Sequence, residues 1–218
     1  MNTITHPRPH AGQPVLWSGA ALASARLVLI LLHGRGASAS DILILGEELR
    51  LLNAAFVAPQ AAGHTWYPRS FLAPLDQNEP GITSAMEVLA ELVGHIEHAG
   101  FTANRIGLVG FSQGACLALE FAARHARQYA GIAGLSGGLI GPPGTPRDYP
   151  GSLKGTPVFL GCSDVDPHIP LDRVHETTQV LRKLGATVDE RIYHQMDHGV
   201  NEDEVEAVRA MFRPAAIG

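Results

Sequence analysis

Between Arg105 and Ala126 the chain runs from an apolar strand pattern (RIGLVG) through Gly110-Phe111-Ser112-Gln113-Gly114 into an alanine-rich helical pattern (ACLALEFAARHA). A strand that feeds a helix across so short a turn must reverse sharply. The turn residue is then strained, and a Cβ on either flank would strike the neighbouring strand or helix, so glycine is required on both sides. A helix that follows a strand this directly belongs to a sheet whose strands run parallel.

The rest of the chain repeats that alternation. Apolar runs of strand length occur at Leu27–Leu32, Ala54–Ala58, Ile106–Val109, Ile132–Leu135, Pro157–Gly161 and Thr187–Ile192, with a short first strand around Val15–Trp17. Helical patterns lie between them at about 40–51, 82–99, 114–126, 171–184 and 202–212. Asp41 or Ser40 is placed to cap the first, Thr83 or Ser84 the second and Asn201 the last. The expected fold class is α/β: a mostly parallel central sheet of about seven strands with helices on both faces. With 218 residues, no repeat and no linker, the expectation is a single domain over 1–218, with 1–14 a mostly irregular lead-in and no large cap domain. Two long irregular stretches, 59–81 and 137–154, follow strand C-terminal ends, where ligands bind in such sheets, and are candidates for lid or pocket wall.

A formal net charge of −5, with scattered arginines and only two lysines, argues against nucleic acid as a partner. Cys116 and Cys162 fall inside apolar elements and read as buried thiols rather than a disulfide pair or metal knuckle. The N-terminal MNTITHPRPH has no apolar core of a signal sequence, and no later run is long enough to span a bilayer, so a cytoplasmic location is expected.

A serine hydroxyl exposed on such a turn becomes a nucleophile only if a base takes its proton and a carboxylate orients the base. On a parallel sheet the partners should follow in the order acid then histidine, each in a loop after a later strand. Cys162-Ser163-Asp164-Val165-Asp166-Pro167 and Tyr193-His194-Gln195-Met196-Asp197-His198-Gly199 occupy those two places. Asp166, held extended by the proline after it, is preferred over Asp164, which reads as a turn residue bonding its own backbone. His198, deep in its loop just before the last helix, is preferred over His194 as the base. An oxyanion would be held by the backbone amides of Gln113, at a helix N-terminus, and of Arg35, between two glycines in Leu31-Leu32-His33-Gly34-Arg35-Gly36. The Arg35 side chain points either to a polar substrate group or to solvent, and His33 braces its loop.

LLHGRGAS, GFSQGA, SDVDPHIP and the Tyr193–His198 segment together resemble the phospholipase/carboxylesterase family of α/β-hydrolases, which includes acyl-protein thioesterases and small bacterial carboxylesterases. The likeness runs from about Val28 to Phe212, and PQAAGHTWYPRSFLAP resembles a bacterial subgroup. It implies a Ser112–Asp166–His198 triad with the Arg35 and Gln113 amides as oxyanion hole. The chain departs from the family pattern at two places: Ala37 stands where thioesterase members often carry an acidic residue, and Gln195 where a glycine is common.

The expectation is a serine carboxylesterase acting through an acyl-enzyme on short to medium acyl esters, with lysophospholipids and thioesters as further substrate classes. Its partner is a small-molecule ester, it needs no cofactor and no metal, and a homodimer is left open. Trp66, Tyr67, Phe71 and Leu72 in one loop, with Leu139, Ile140, His168 and Ile169 in two others, are the candidate pocket residues. Two other classes remain. A metal-dependent hydrolase would use His194 and His198, and a binding module on the same fold would not turn over at all.

Overall fold

The computed structural model describes residues 8–217. Seven strands form one sheet: β1 (Val15–Gly19), β2 (Leu27–Leu32), β3 (Ala54–Pro59), β4 (Ile106–Phe111), β5 (Gly131–Leu135), β6 (Pro157–Ser163) and β7 (Thr187–Tyr193). Their spatial order is β1-β3-β2-β4-β5-β6-β7. β1 is antiparallel to β3, and every other pairing is parallel. Five α-helices cover the faces: α1 (Ala39–Glu48), α2 (Gly81–His98), α3 (Gln113–Arg124), α4 (Leu171–Lys183) and α5 (Glu202–Ile217).

The two-residue period of the strands divides the core cleanly. Leu27, Leu29 and Leu31 of β2 point to the side covered by α1 and α5, where Phe56, Phe159 and Phe212 also pack. Val28, Ile30 and Leu32 point to the side of α2, α3 and α4. Because β2 is buried on both faces, its sequence shows no polar alternation, as a central parallel strand requires. β4 lies in the middle, so the turn that leaves it emerges at the centre of the sheet's C-terminal edge.

Helix ends depart from the sequence expectations. The cap of α1 is Ser38: its hydroxyl accepts from the Asp41 amide at 3.3 Å while Asp41 accepts from the Ser38 amide at 2.7 Å. Asp41 and Ser40 lie inside the helix. α2 is capped from the turn before it, the Glu79 carboxylate accepting from the Thr83 amide at 3.0 Å, so neither Thr83 nor Ser84 is the cap. Asn201 does cap α5, with Glu204 closing a capping box. That helix continues through Pro214, beyond the expected 212, and its added turn buries Ala216 against the core. Of the irregular lead-in, residues 1–7 lie outside the described residues. Residues 8–14 form turns, and their His10 is buried against Trp66.

Candidate active site

Ser112 caps α3 with φ 54° and ψ −118°, a strained setting for a residue with a side chain. The strain is fixed by close packing. A Cβ on Gly110 would strike the Gly114 carbonyl, and one on Gly114 would strike the Leu32 carbonyl, so neither flank accepts another residue. The turn lifts the serine hydroxyl out of the sheet edge toward the loops that follow β6 and β7.

Those loops complete a chain of hydrogen bonds. The Ser112 hydroxyl lies 2.9 Å from Nε2 of His198, and Nδ1 of His198 lies 2.7 Å from Oδ2 of Asp166. An ionised carboxylate only accepts, so Nδ1 carries the imidazole proton and Nε2 presents a lone pair to the serine. The Asp166 side chain is fully buried. Burial opposes its charge, but the hydrogen bond from His198 and those from the His168 and Ile169 amides (2.8 and 3.0 Å) outweigh it. Its pKa is therefore held below the ordinary carboxylate value. The Phe111 and His168 rings flank the imidazole at 5.1 and 4.9 Å between centroids and limit its rotation.

Asp164 and His194 form a separate, exposed pair. Nδ1 of His194 lies 2.7 Å from Oδ2 of Asp164, whose other oxygen accepts from the Gln195 amide at 2.8 Å. Asp164 is thus tied chiefly to the histidine loop, with a weaker bond from its own backbone amide. Gln195, in the position where the family often has glycine, has φ 50°, so the left-handed turn persists with a side chain on it. His194 and His198 turn to different carboxylates, and among the described residues no three His, Cys, Asp or Glu gather as a metal-binding group.

Arg35 and Gln113 line the same cavity as Ser112, of about 620 Å³. As the first residue of α3, Gln113 has no intrahelical acceptor for its amide. Their side chains have a role the sequence did not reveal. The Arg35 guanidinium donates to the carbonyls of Tyr67, Pro68 and Arg69 at 2.9, 3.1 and 2.7 Å, so this exposed side chain is tied to the chain itself. The Gln113 amide donates to Tyr67 O at 2.8 Å and accepts from the Trp66 amide at 2.8 Å. Both residues therefore clamp the 65–69 loop over the serine. His33 braces the same loop: its Nε2 accepts from the Ala61 amide at 3.1 Å and its carbonyl receives the Trp66 indole N–H at 2.9 Å. Burial lowers the pKa of His33 and keeps it neutral for this task.

Of the expected pocket residues, Tyr67, Phe71, His168 and Ile169 line the cavity. Trp66, Leu72, Leu139 and Ile140 do not. Trp66 is fully buried between His10 and His33. Leu72 packs half-buried against the core. Leu139 and Ile140 are also fully buried, their backbone held by Thr177, Glu120 and Arg173. The 59–81 stretch supplies pocket wall, whereas 137–154 contributes nothing to the cavity and is pinned to α3 and α4. Both cysteines are free and buried; Cys116 reaches the cavity floor, and burial pushes each thiol up to about 12.

The family model described as Phospholipase/Carboxylesterase matches residues 20–213. The chain belongs to that family. Within this α/β-hydrolase family of ester hydrolases, acyl-protein thioesterase 1 of Yarrowia lipolytica is 30% identical over 204 residues, covering 85% of this chain and 90% of that protein. Lysophospholipase-like protein 1 of Mus musculus is 25% identical over 201 residues, 84% of each chain. Among solved structures, a phospholipase/carboxylesterase from Dyadobacter fermentans superposes with a TM-score of 0.89 at 40% identity, over 96% of this chain and 98% of that one. No helix among the described residues is long and apolar enough to cross a membrane.

Proposed function

We propose that this member of the family is a serine carboxylesterase that works as a single domain, with its site at the C-terminal edge of the sheet. The observation that carries the proposal is the unbroken relay from the Ser112 hydroxyl through His198 to Asp166, at 2.9 and 2.7 Å. His198 Nε2 takes the serine proton as Ser112 Oγ bonds to the ester carbonyl carbon. The Arg35 and Gln113 amides receive the oxyanion, and Asp166 stabilises the imidazolium. Collapse breaks the bond to the leaving oxygen, to which His198 returns the proton. Water then enters, deprotonated by His198, and releases the acid and the free serine.

The acyl group is assigned to the cavity bounded by Tyr67, Phe71, Cys116 and Ile169, whose volume fits short to medium chains. With Ala37 in place of an acid, oxygen esters are the substrate class, ahead of thioesters. The test is hydrolysis of p-nitrophenyl butyrate by wild type and Ser112→Ala. Loss of the serine should lower kcat on the order of a millionfold, to near background. A purified variant that retains substantial turnover would assign the chemistry to another nucleophile.

A further inference from the structure

A second and larger depression, of about 810 Å³, opens beside the catalytic cavity. It runs between α1 and the start of α5, with Ile42, Ile44 and Leu45 on one wall and Val200 and Val205 on the other. It is continuous with the catalytic cavity, because Gly34, Ala37 and Phe111 line both. The passage is paved by a residue without a side chain. A Cβ at Gly34 would sit 3.2 Å from the Phe111 ring and 3.4 Å from Cβ of Ser112. Ile44 is 61% exposed here, an apolar side chain left in water by the chain itself.

We propose that this groove takes the alcohol portion of the ester, and that the natural substrates carry an extended, mainly apolar alcohol. The inference rests on the catalytic reading above and follows from where the proton must go. The leaving oxygen has to lie within reach of Nε2 of His198. The groove begins on that flank, at Phe111, whose ring packs on the imidazole, and at Val200, two residues after the base. The acyl group, bonded to Ser112 and facing the Arg35 and Gln113 amides, is left with the cavity under Tyr67 and Phe71.

Charge supports the same assignment. Asp41, Glu48, Glu202 and Glu206 stand on the rim, and its two arginines are engaged, Arg50 with Glu48 and Arg209 with Glu206. Hydrolysis leaves a carboxylate on the acyl side and a neutral alcohol on the other. An acidic rim repels the first and tolerates the second.

Two isomeric esters separate the arms: hexyl acetate has the long chain on the alcohol, ethyl hexanoate on the acid. For wild type, kcat/KM should rise across ethyl, butyl and hexyl acetates, by up to about fourfold for each methylene buried. Val205→Trp, which fills the groove, should lower kcat/KM for hexyl acetate about fifteenfold, the equivalent of two methylenes, and leave ethyl hexanoate within about twofold. Ile44→Ser, at an exposed position that does not threaten folding, should lower the hexyl acetate value in the same direction by about fourfold. Unchanged labelling of Ser112 by a small fluorophosphonate would show that the relay is intact in both variants. With labelling intact, a loss confined to ethyl hexanoate, equal losses on both isomers, or no loss on either would overturn the proposal. A wild type that neither labels nor cleaves either ester would instead overturn the catalytic reading, and the groove assignment with it.

Discussion

Glu204 is a carboxylate at odds with its surroundings, and its titration can be measured separately from everything else in the molecule. One oxygen accepts from the Asn201 amide at 2.9 Å and closes the cap of α5. The other has no hydrogen-bond partner and faces Gly161, where even a Cβ would collide with it. The residue has no exposed surface. Burial, against the pull of the Asn201 amide and with some help from the charge of Asp203, pushes the pKa from an ordinary 4.5 up to about 7. A raised carboxyl pKa means that the folded protein holds the proton more tightly than the unfolded chain. The resulting stability is fully present below 4.5, is lost as pH rises toward 7, and stays lost above it. At about 1.4 kcal/mol per tenfold change in proton affinity, the loss between pH 5 and pH 8 is about 2.5 kcal/mol. Glu204→Gln removes the titration and keeps an oxygen for the Asn201 amide. Urea unfolding of both proteins at pH 5 and pH 8 gives four free energies. Any fixed cost of the amide cancels between the two pH values, and so do the other titrating groups that both proteins share. The variant should gain about 2.5 kcal/mol on wild type between pH 5 and pH 8. A stability difference that stays constant within about 0.5 kcal/mol would mean that the Glu204 carboxyl is not raised in the folded protein.

His198→Ala should be nearly as damaging as Ser112→Ala in steady-state ester hydrolysis, since base and nucleophile act as a unit, whereas His194→Ala should cost less than about threefold. Asp166→Asn should lower kcat by about 10⁴ because the imidazole loses its orienting acceptor, while Asp164→Asn, which keeps an oxygen for the Gln195 amide, should stay within about tenfold; the same assay compares them. Phe71→Ala should lower kcat/KM more for hexanoate than for acetate esters, with acetate nearly unchanged. Trp66→Ala should lower the melting temperature by several degrees with no chain-length dependence, because that ring is core rather than pocket wall.

The sheet was legible in the sequence because a strand buried on both faces leaves an uninterrupted apolar run. β2 begins and ends where that run does, at Leu27 and Leu32. Helix caps were harder to place. Several hydroxyls and carboxylates stand near the start of α1, and the path of the chain into the helix selects Ser38. The last helix runs past the expected 212 and through Pro214, and Ala216 beyond the proline is buried. At the site, the order of serine, acid and histidine follows from topology, since each stands in a loop at the same edge of the sheet. The side-chain work of Arg35 and Gln113 could not be read, because their partners are backbone groups more than thirty residues away. Nor could Trp66, Leu139 and Ile140 be separated from Tyr67 and Phe71, since core and pocket wall demand the same apolar side chains. The indole N–H of Trp66 meeting the His33 carbonyl marks it as core, and that contact exists only in three dimensions.

Ser112 Oγ is the proposed attacking atom, and covalent trapping reads that assignment at the atom itself. Wild-type protein treated with a fluorophosphonate and analysed by intact mass spectrometry should gain the mass of one probe. Peptide mapping should place it on Ser112, in step with loss of esterase activity, and Ser112→Ala should take up none. Full esterase activity with no adduct, or an adduct on any other residue that accompanies inactivation, would assign the nucleophile elsewhere.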